Sequence, residues 1–466
     1  MSTRIEKDTL GEVEVPADAY YGAQTARALA NFPISGLKPH PALVWSTLVI
    51  KKCAAGANMA TGRLPQELGE AIVRAADEAI AGGLADQFVV DPFQAGAGTS
   101  HNMNVNEVLA ARAGELLGCD RGNRQKVHPN DHVNMAQSTN DVFPTAMRIA
   151  SLRLVEGLRP VLEGLQNELS EKGREFDGII KSGRTHLQDA VPIRLGQEFE
   201  AYATAIRKNM EAIERTLPEL CELGIGATAV GTGLNAEDQY IDLVVAGIEA
   251  ETGFPVRRGG NLVERTQNME PFLALSSALK GLSANLVRIS NDLRLLASGP
   301  RTGLGEISLP AVQPGSSIMP GKVNPSIAEM MNMVGFQVMG ADTVVALAVQ
   351  AGQLELNVMM PVIAYNLLFS LEILTNGVRK FSEACISGIT ASQTRCLRYF
   401  EESVGLVTVL APYLGYEAAA EVAKESVKTG RSVRDIIVAR ELLTPQMLAR
   451  ILDPYPLTTP GVPGQK

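Results

Sequence analysis

The amino-acid sequence predicts an all-α fold built largely from long helices. Apolar residues recur at helical spacing over stretches longer than an average helix of about 11 residues; these stretches are residues 142–175, 192–220, 236–252, 264–297, 325–350 and 357–386. Some of them are apolar on more than one face, as at Val344, Val345, Leu347 and Val349. Such helices must be buried, so we expect them to form a bundle that also packs against further copies of the chain.

The 466 residues suffice for about three domains. Short helical patterns separated by polar loops occupy an N-terminal segment, 1–140; its helices are predicted at 25–30, 41–60, 65–84 and 107–117. The long patterns fill a central segment, 141–392, and shorter helices return in a C-terminal segment, 393–466. Each change of pattern is a predicted domain boundary.

The composition argues against several classes of function. A net charge of −9 does not suit nucleic acid, whose binding needs a basic surface stripe. The N-terminus lacks the apolar core of a signal peptide, and no uninterrupted apolar run of about 18 residues predicts a membrane span. The five cysteines form no CxxC pair, which favours a reduced cytoplasm over a disulfide frame or zinc site.

The strongest chemical signal is Gly315–Pro325, which reads GSSIMPGKVNP. Its glycines permit mobility at one end and its prolines impose rigidity at the other. Asn324, followed by proline, predicts a helix N-cap, which would place Lys322 at the positive end of a helix, where anions bind. A phosphate-binding P-loop does not fit, because five residues separate the two glycines and Val323 follows the lysine.

This segment closely resembles the flexible substrate loop of the aspartase/fumarase superfamily. In that family the first serine of the pair removes a proton from the carbon beside a carboxylate, which implies Ser316 as the catalytic base. The resemblance implies a three-domain fold with a long central bundle, a homotetramer with a helical core, and active sites built from three chains. It also implies a small dicarboxylate substrate and no redox cofactor.

Two further segments resemble substrate-binding positions of the family. Thr99, in a glycine-rich stretch, matches a threonine that holds the substrate. Ser138, Thr139 and Asn140 are consecutive hydrogen-bonding groups ahead of a helix, a place that suits a carboxylate. The resemblance implies that they bind a substrate carboxylate, with Asn140 near the departing group. Without it, a plain capping sequence would explain them equally well.

Thr185-His186 resembles a family pair whose threonine binds the α-carboxylate and whose histidine lies near the leaving amine or hydroxyl. Because some aspartases have glutamine there, His186 is a site residue first and a proton donor second. The glycine-rich segment 224–235 is not a dinucleotide loop, since its spacing is not GxGxxG after a strand. The family uses that segment as a turn close to the active site.

The expected chemistry places extra negative charge on a carboxylate, and preorganised donors must stabilise it. The side chains expected at one carboxylate are Thr99, Ser138, Thr139 and Ser317, and those at the other are Thr185, Lys322 and Asn324. We hypothesise that the amides of its own loop and Lys322 make Ser316 acidic, and that the loop closes over the substrate. Glu329 matches a family glutamate that pairs with the histidine, although an exposed helix charge explains it too.

Short matches favour the aspartases, which release ammonia; they lie at residues 19–22, 188–192, 226–229 and 292–296. Arg27 and Lys52 resemble positive positions of aspartases, although surface charge would explain both. Met360 departs from the pattern, because aspartases usually have glutamate there and fumarases lysine. A fumarate hydratase and a non-catalytic helical scaffold stay open as alternatives. No set of ligands predicts a divalent metal.

Overall fold

The computed structural model describes residues 2–123 and 125–464 of the chain. Helices dominate this part, which confirms the predicted all-α class. The first helices are α1 (Ala23–Asn31), α2 (Pro41–Ala60), α3 (Gln66–Ile80) and α4 (Thr99–Leu116). The middle helices are α5 (Thr139–Glu175), α6 (Leu195–Glu214), α7 (Leu217–Leu220), α8 (Asp238–Thr252), α9 (Leu262–Gln267), α10 (Glu270–Leu296), α11 (Ser326–Gln350) and α12 (Met360–Phe381). The last helices are α13 (Gln393–Glu402), α14 (Leu406–Leu414), α15 (Tyr416–Thr429), α16 (Val433–Ala439), α17 (Pro445–Ile451) and α18 (Pro454–Leu457).

The strands of the described residues form four two-stranded sheets. The strands are β1 (Thr3–Asp8), β2 (Gly11–Pro16), β3 (Ile180–Thr185), β4 (Gln188–Arg194), β5 (Glu222–Leu223), β6 (Arg257–Arg258), β7 (Ile307–Ser308) and β8 (Thr390–Ala391). Neither the β1–β2 hairpin nor the β3–β4 hairpin was predicted from the sequence. The first was visible as Glu12-Val13-Glu14-Val15, an alternation with the period of a strand.

Two predicted long helices are interrupted in the structure. The stretch 264–297 divides into α9 and α10, because Asn268 leaves the helical conformation and its Oδ1 accepts the backbone N–H of Glu270 at 3.0 Å. Asparagine competes in this way with the helical ladder. The stretch 192–220 begins as β4, continues as α6 and breaks before α7. By contrast, the predicted helix 41–60 coincides with α2.

The chain divides into two compact units, each assembled from separate segments. Unit 1 comprises the chain up to Arg159 with Asn209–Ser283 and Gly335–Thr375. Unit 2 comprises Pro160–Lys208, Ala284–Val334 and the chain from Asn376 onward. An apolar core in unit 1 joins α2, α3 and α4, and one in unit 2 joins β3 to the helices from α13 to α17. The three-segment division 1–140, 141–392 and 393–466 stays a prediction.

Two apolar helical stretches would be long enough to cross a membrane, α11 and Met360–Ile386. In the second, 61% of the most apolar window is buried inside the protein, as expected of a core helix. In α11 the buried share is 39%, so this helix exposes apolar side chains. Much of the apolar surface of α11 is therefore not covered by its own chain.

Candidate active site

Thr99 is the first residue of α4, at the end of a tightly turned loop in unit 1. Ala97 (φ 61°) and Gly98 (φ 84°) have left-handed backbones that lead into the helix. A Cβ atom on Gly98 would lie 2.2 Å from the ring of Phe143 in α5. Only glycine therefore allows this approach, which places the start of α4 against the first turns of α5.

Ser138, Thr139 and Asn140 form the entry to α5 in the same unit. The backbone N–H of Ser138 donates to Asp141 Oδ1 at 2.9 Å, and that of Asn140 donates to Ser138 Oγ at 3.2 Å. Asn102 Nδ2 donates to Thr139 Oγ1 at 3.1 Å. Because Asn102 lies three residues after Thr99 on α4, the two share a helix face, and unit 1 brings Thr99 to the side of residues 138–140.

Asp141 links this entry to the glycine-rich segment. Its buried Oδ2 accepts the backbone N–H groups of Gly226 at 3.1 Å and Thr228 at 2.9 Å. Burial raises the pKa of Asp141 to about 7, although these backbone donors act in the opposite direction. Asn140 Nδ2 donates to the carbonyl of Ala229 at 2.7 Å. Segment 224–235 thus lies beside the entry to α5, and the second N–H of Asn140 stays available to a ligand.

The sequence analysis assigned no role to Lys51, which lies fully buried in α2. Its Nζ donates to Asn134 Oδ1 at 2.8 Å and to Gln137 Oε1 at 2.9 Å. Burial lowers the pKa of Lys51 to about 7, and the charge of Asp141 opposes that shift. The sequence contained a signal for this burial, because Lys51 directly follows the apolar run Leu48-Val49-Ile50. The amino group of Lys51 therefore contacts Gln137, the residue directly before Ser138.

Arg27 and Lys52, which resemble positive positions of aspartases, bind carboxylates of their own chain. Lys52 Nζ lies 2.8 Å from both Asp77 and Glu251. Arg27 Nε lies 2.8 Å from Asp8. Their role in the structure is therefore to form ion pairs within unit 1, as ordinary surface charges do.

His101 is a buried structural residue whose Nε2 lies 3.0 Å from Thr47 Oγ1. Burial and the charge of Lys51 lower its pKa to about 4, below the ordinary value of 6.5. The neutral His101 ring makes its full contribution to the free energy of unfolding above pH 6.5. That contribution is lost as the pH falls toward 4. Between pH 7 and pH 4, we expect the free energy of unfolding to decrease by about 3 kcal/mol less in His101→Gln than in the unsubstituted protein. Urea unfolding of both proteins at each pH measures it, and a pH-independent difference would contradict the prediction.

In unit 2, the loop that carries Ser316 folds back on its own backbone. The amides of Ile318 and Met319 donate to Ser316 Oγ at 3.2 and 3.1 Å. The Gly315 N–H donates to the Lys322 carbonyl at 2.8 Å. A Cβ on Gly315 would lie 2.6 Å from that carbonyl oxygen, so the closure requires glycine. Two backbone donors therefore converge on the oxygen that would carry negative charge as a base.

The prediction that Asn324 caps the following helix is wrong. Helix α11 begins at Ser326, and Asn324 Nδ2 instead donates to the carbonyl of Gly315 at 2.7 Å. A capping side chain accepts a backbone N–H through its oxygen, and among the described residues no backbone N–H of α11 donates to Asn324 Oδ1. Ser317 and Lys322 are exposed, and Glu329 is half-buried in the first turn of α11.

Thr185 and His186 lie at the exposed tip of the β3–β4 hairpin in unit 2. His186 (φ 55°) and Leu187 (φ 61°) form a two-residue turn with left-handed backbones, a place that usually takes Asn-Gly. Residues other than glycine cost roughly 1–2 kcal/mol each in this conformation. Such strain is typical of functional sites, and one of the two strained residues, His186, is a predicted site residue.

The predicted site residues thus form one connected group within unit 1 and two groups within unit 2. In unit 1, hydrogen bonds join the start of α4, the entry to α5 and the glycine-rich segment. In unit 2, the Ser316 loop and the Thr185–His186 hairpin are each closed on themselves. Within the described part of the chain, no ion pair or hydrogen bond joins Glu329 to His186 or Ser316 to Thr185.

The chain matches the lyase family over residues 11–340 and the C-terminal segment of fumarase C over residues 406–459. It is 54% identical to an aspartate ammonia-lyase of a Bacillus species, with 99% of each chain covered. It is 52% identical to the aspartate ammonia-lyase of Bacillus subtilis, with 99% of this chain and 98% of the relative covered. A class II fumarate hydratase of Halobacterium salinarum is 49% identical, with 98% of each chain covered.

Solved structures agree with these relatives. A fumarate lyase:delta crystallin from Brucella melitensis has a TM-score of 0.95 at 47% identity, covering 98% of this chain and 100% of that one. A class II fumarase from Schistosoma mansoni has a TM-score of 0.93 at 38% identity, covering 97% of this chain and 98% of that one. Similarity in sequence and fold along nearly the whole length shows that the chain belongs to the lyase family of the aspartase/fumarase superfamily.

Proposed function

We propose that this chain is an aspartate ammonia-lyase, which converts L-aspartate reversibly to fumarate and ammonia. The observation that carries the proposal is the Ser316 loop, where two backbone amides donate to the serine Oγ. A serine is far too weak an acid to be a base in water, and such donors stabilise its alkoxide. The similarity to two Bacillus aspartases over nearly the whole chain favours ammonia as the leaving group.

In the proposed reaction, Ser316 takes a proton from the carbon beside the β-carboxylate. The electrons of that C–H bond move onto the β-carboxylate and then form the double bond of fumarate. The C–N bond breaks in that step, and its electron pair departs with the protonated amino group, which leaves as ammonia. The hydroxyls proposed to hold the β-carboxylate belong to Thr99, Ser138, Thr139 and Ser317. The groups proposed at the α-carboxylate are Thr185, Lys322 and Asn324, while Asn140 and His186 lie near the amine. None of these steps requires a redox cofactor.

The second candidate is a class II fumarate hydratase, in which water leaves instead of ammonia. The 49% identical hydratase and the Thr185-His186 pair both favour it. Position 360 does not decide between the two functions, because methionine stands there in place of the glutamate of aspartases or the lysine of fumarases. Met360 is fully buried at the start of α12.

The test is to follow fumarate absorbance with the purified protein in L-aspartate and in L-malate separately. Release from aspartate alone supports the proposal, and release from malate alone replaces it with the hydratase. Release from neither substrate by a folded protein would leave the non-catalytic scaffold.

We further propose that the chain assembles into a homotetramer whose active sites combine residues of three subunits. Helix α11 supports this, because it exposes large apolar side chains at helical spacing; they are Met333, Phe336, Val344 and Leu347. An exposed stripe of this kind usually marks an interface. Among the described residues of unit 2, no hydrogen bond joins the Ser316 loop to the Thr185–His186 hairpin, which fits a site that is completed by neighbouring copies.

We expect Phe336→Glu/Leu347→Glu to break this assembly, because it places four carboxylates in each pair of facing stripes. Light scattering after size exclusion should show a smaller species, with most of the aspartase activity lost. The matched control is Leu10→Glu, since Leu10 is 80% exposed but lies in the β1–β2 turn. A double variant that stays tetrameric would remove α11 from the proposed interface.

We propose that the protein is soluble and cytoplasmic, without a membrane or nucleic-acid partner. All five cysteines are free, as a reducing compartment requires. We also propose that the three predicted segments correspond to three domains, with the Ser316 loop carried by the central one.

A further inference from the structure

We propose that Glu306 is a positioning residue that fixes the Thr185–His186 hairpin through Lys181 and Arg184. The inference rests on the proposed function, because it assigns a task to the hairpin within that active site. It concerns a group of buried charges in unit 2 that the proposed reaction does not use directly.

Glu306 is fully buried, and a different cation lies at each of its carboxylate oxygens. Lys181 Nζ lies 2.7 Å from Oε2, and Arg184 Nη1 lies 2.9 Å from Oε1. Lys181 is itself only 2% exposed and also lies 3.0 Å from Glu198 on α6. A buried carboxylate is strongly unfavourable unless cations compensate its charge, so this geometry holds both cations near Glu306.

The backbone of Glu306 is itself held in place. Its N–H donates to the carbonyl of Leu296 at 2.9 Å, and its carbonyl accepts the N–H of Ser392 at 2.8 Å. The next residues form β7, which pairs with β8. Chain positions 309–315 then lead to Ser316. These hydrogen bonds therefore fix the backbone of Glu306 ten residues before Ser316.

The other end of the ion pairs lies on β3, immediately before the hairpin tip. Arg184 directly precedes Thr185. Ser182 pairs with Pro192 and Arg184 pairs with Asp189, so Gly183 faces two residues of β4 in a bulge. Lys181 and Arg184 are three positions apart and would face opposite sides of a regular strand. The extra residue lies in β4, and a bulge increases the local twist of a strand pair. Both cations of β3 reach one carboxylate here.

The hairpin needs such an anchor. A two-stranded hairpin is marginally stable by itself, and its tip carries the strained backbones of His186 and Leu187. A cavity of about 350 Å³ also borders Lys181, Arg184 and Leu187, which leaves room for the hairpin to shift. Glu306 opposes that shift and connects the group that binds the α-carboxylate to the base of the loop that carries the catalytic serine.

The test compares Glu306→Gln with Glu198→Gln, because both side chains bind Lys181 but only Glu306 binds Arg184. We expect Glu306→Gln to lower kcat/KM for aspartate about 10- to 100-fold, since a misplacement of 1 Å costs up to about 10²-fold. KM should rise as well as kcat fall, because Thr185 binds substrate. Glu198→Gln should stay within about threefold of the unsubstituted protein, because Lys181 keeps Glu306 as its counter-ion.

Arg184→Met gives a second measurement if the buried charges left by Glu306→Gln prevent folding. It keeps the Lys181–Glu306 pair and removes only the link next to Thr185, so it should also raise KM. Arg184→Lys should restore part of the loss. Folded Glu306→Gln and Arg184→Met proteins with unchanged kcat and KM would overturn the inference.

Amide hydrogen exchange separates this inference from the proposed function. Exchange across residues 180–194 should be faster in Glu306→Gln and unchanged in Glu198→Gln. Equal exchange in all three proteins would overturn the anchoring role, whichever substrate the protein turns over. A protein that releases fumarate from neither aspartate nor malate would instead end the proposed function, even if the exchange pattern is as expected.

Discussion

Replacing Ser316 by alanine is expected to lower kcat for fumarate release from aspartate by about 10³-fold or more, while aspartate still binds. A positioned general base contributes roughly 10²–10⁴-fold, and no other side chain is proposed to take the proton. The two amides that donate to Ser316 Oγ belong to the backbone, so the substitution leaves the loop closure between Gly315 and Lys322 intact. Initial rates and equilibrium binding of aspartate measure the two parts separately.

The matched control for this variant is Ser308→Ala. Ser308 is an exposed serine of the same unit, on β7, and its replacement should leave kcat unchanged. If Ser316→Ala kept wild-type turnover, the serine could not be the base and the reaction would need another proton acceptor. If it lost binding as well as turnover, the serine would be a substrate ligand instead.

Replacing Lys322 by methionine is expected to lower kcat/KM by about 10³-fold. Lys322 has two proposed tasks, to bind the α-carboxylate and to stabilise the alkoxide of Ser316. Removing a single preorganised donor at a developing negative charge costs roughly 10²–10³-fold. Because the alkoxide becomes harder to form, the rising limb of the pH–rate profile should also move to higher pH. Rates across the pH range, at saturating and at low aspartate, measure both effects.

Lys424→Met is the control for this variant, because Lys424 is an exposed lysine on α15 of the same unit. It removes the same charge from the protein without touching the loop. A drop in kcat/KM without movement of the pH profile would leave Lys322 as a substrate ligand only. An unchanged kcat/KM would exclude Lys322 from the active site.

Helical periodicity was sufficient for the fold class, but it placed helix ends less accurately. The helix 41–60 was predicted to the residue, and α5 and α11 were predicted within a few residues. The break at Asn268 and the β3–β4 hairpin were missed, because both depend on individual hydrogen bonds. Such bonds do not alter the spacing of apolar residues, on which the prediction rested.

The all-α class and the loop that carries Ser316 could both be predicted from the sequence alone, because periodicity and the GSSIMPGKVNP motif are local properties of the chain. Only the tertiary structure revealed the buried charges behind the candidate groups. Lys51 donates a hydrogen bond to Asn134, which is 83 positions away in the chain. Glu306 forms ion pairs with both Lys181 and Arg184 of unit 2. Burial and charge compensation depend on distances in space, which the spacing of residues along the chain does not contain.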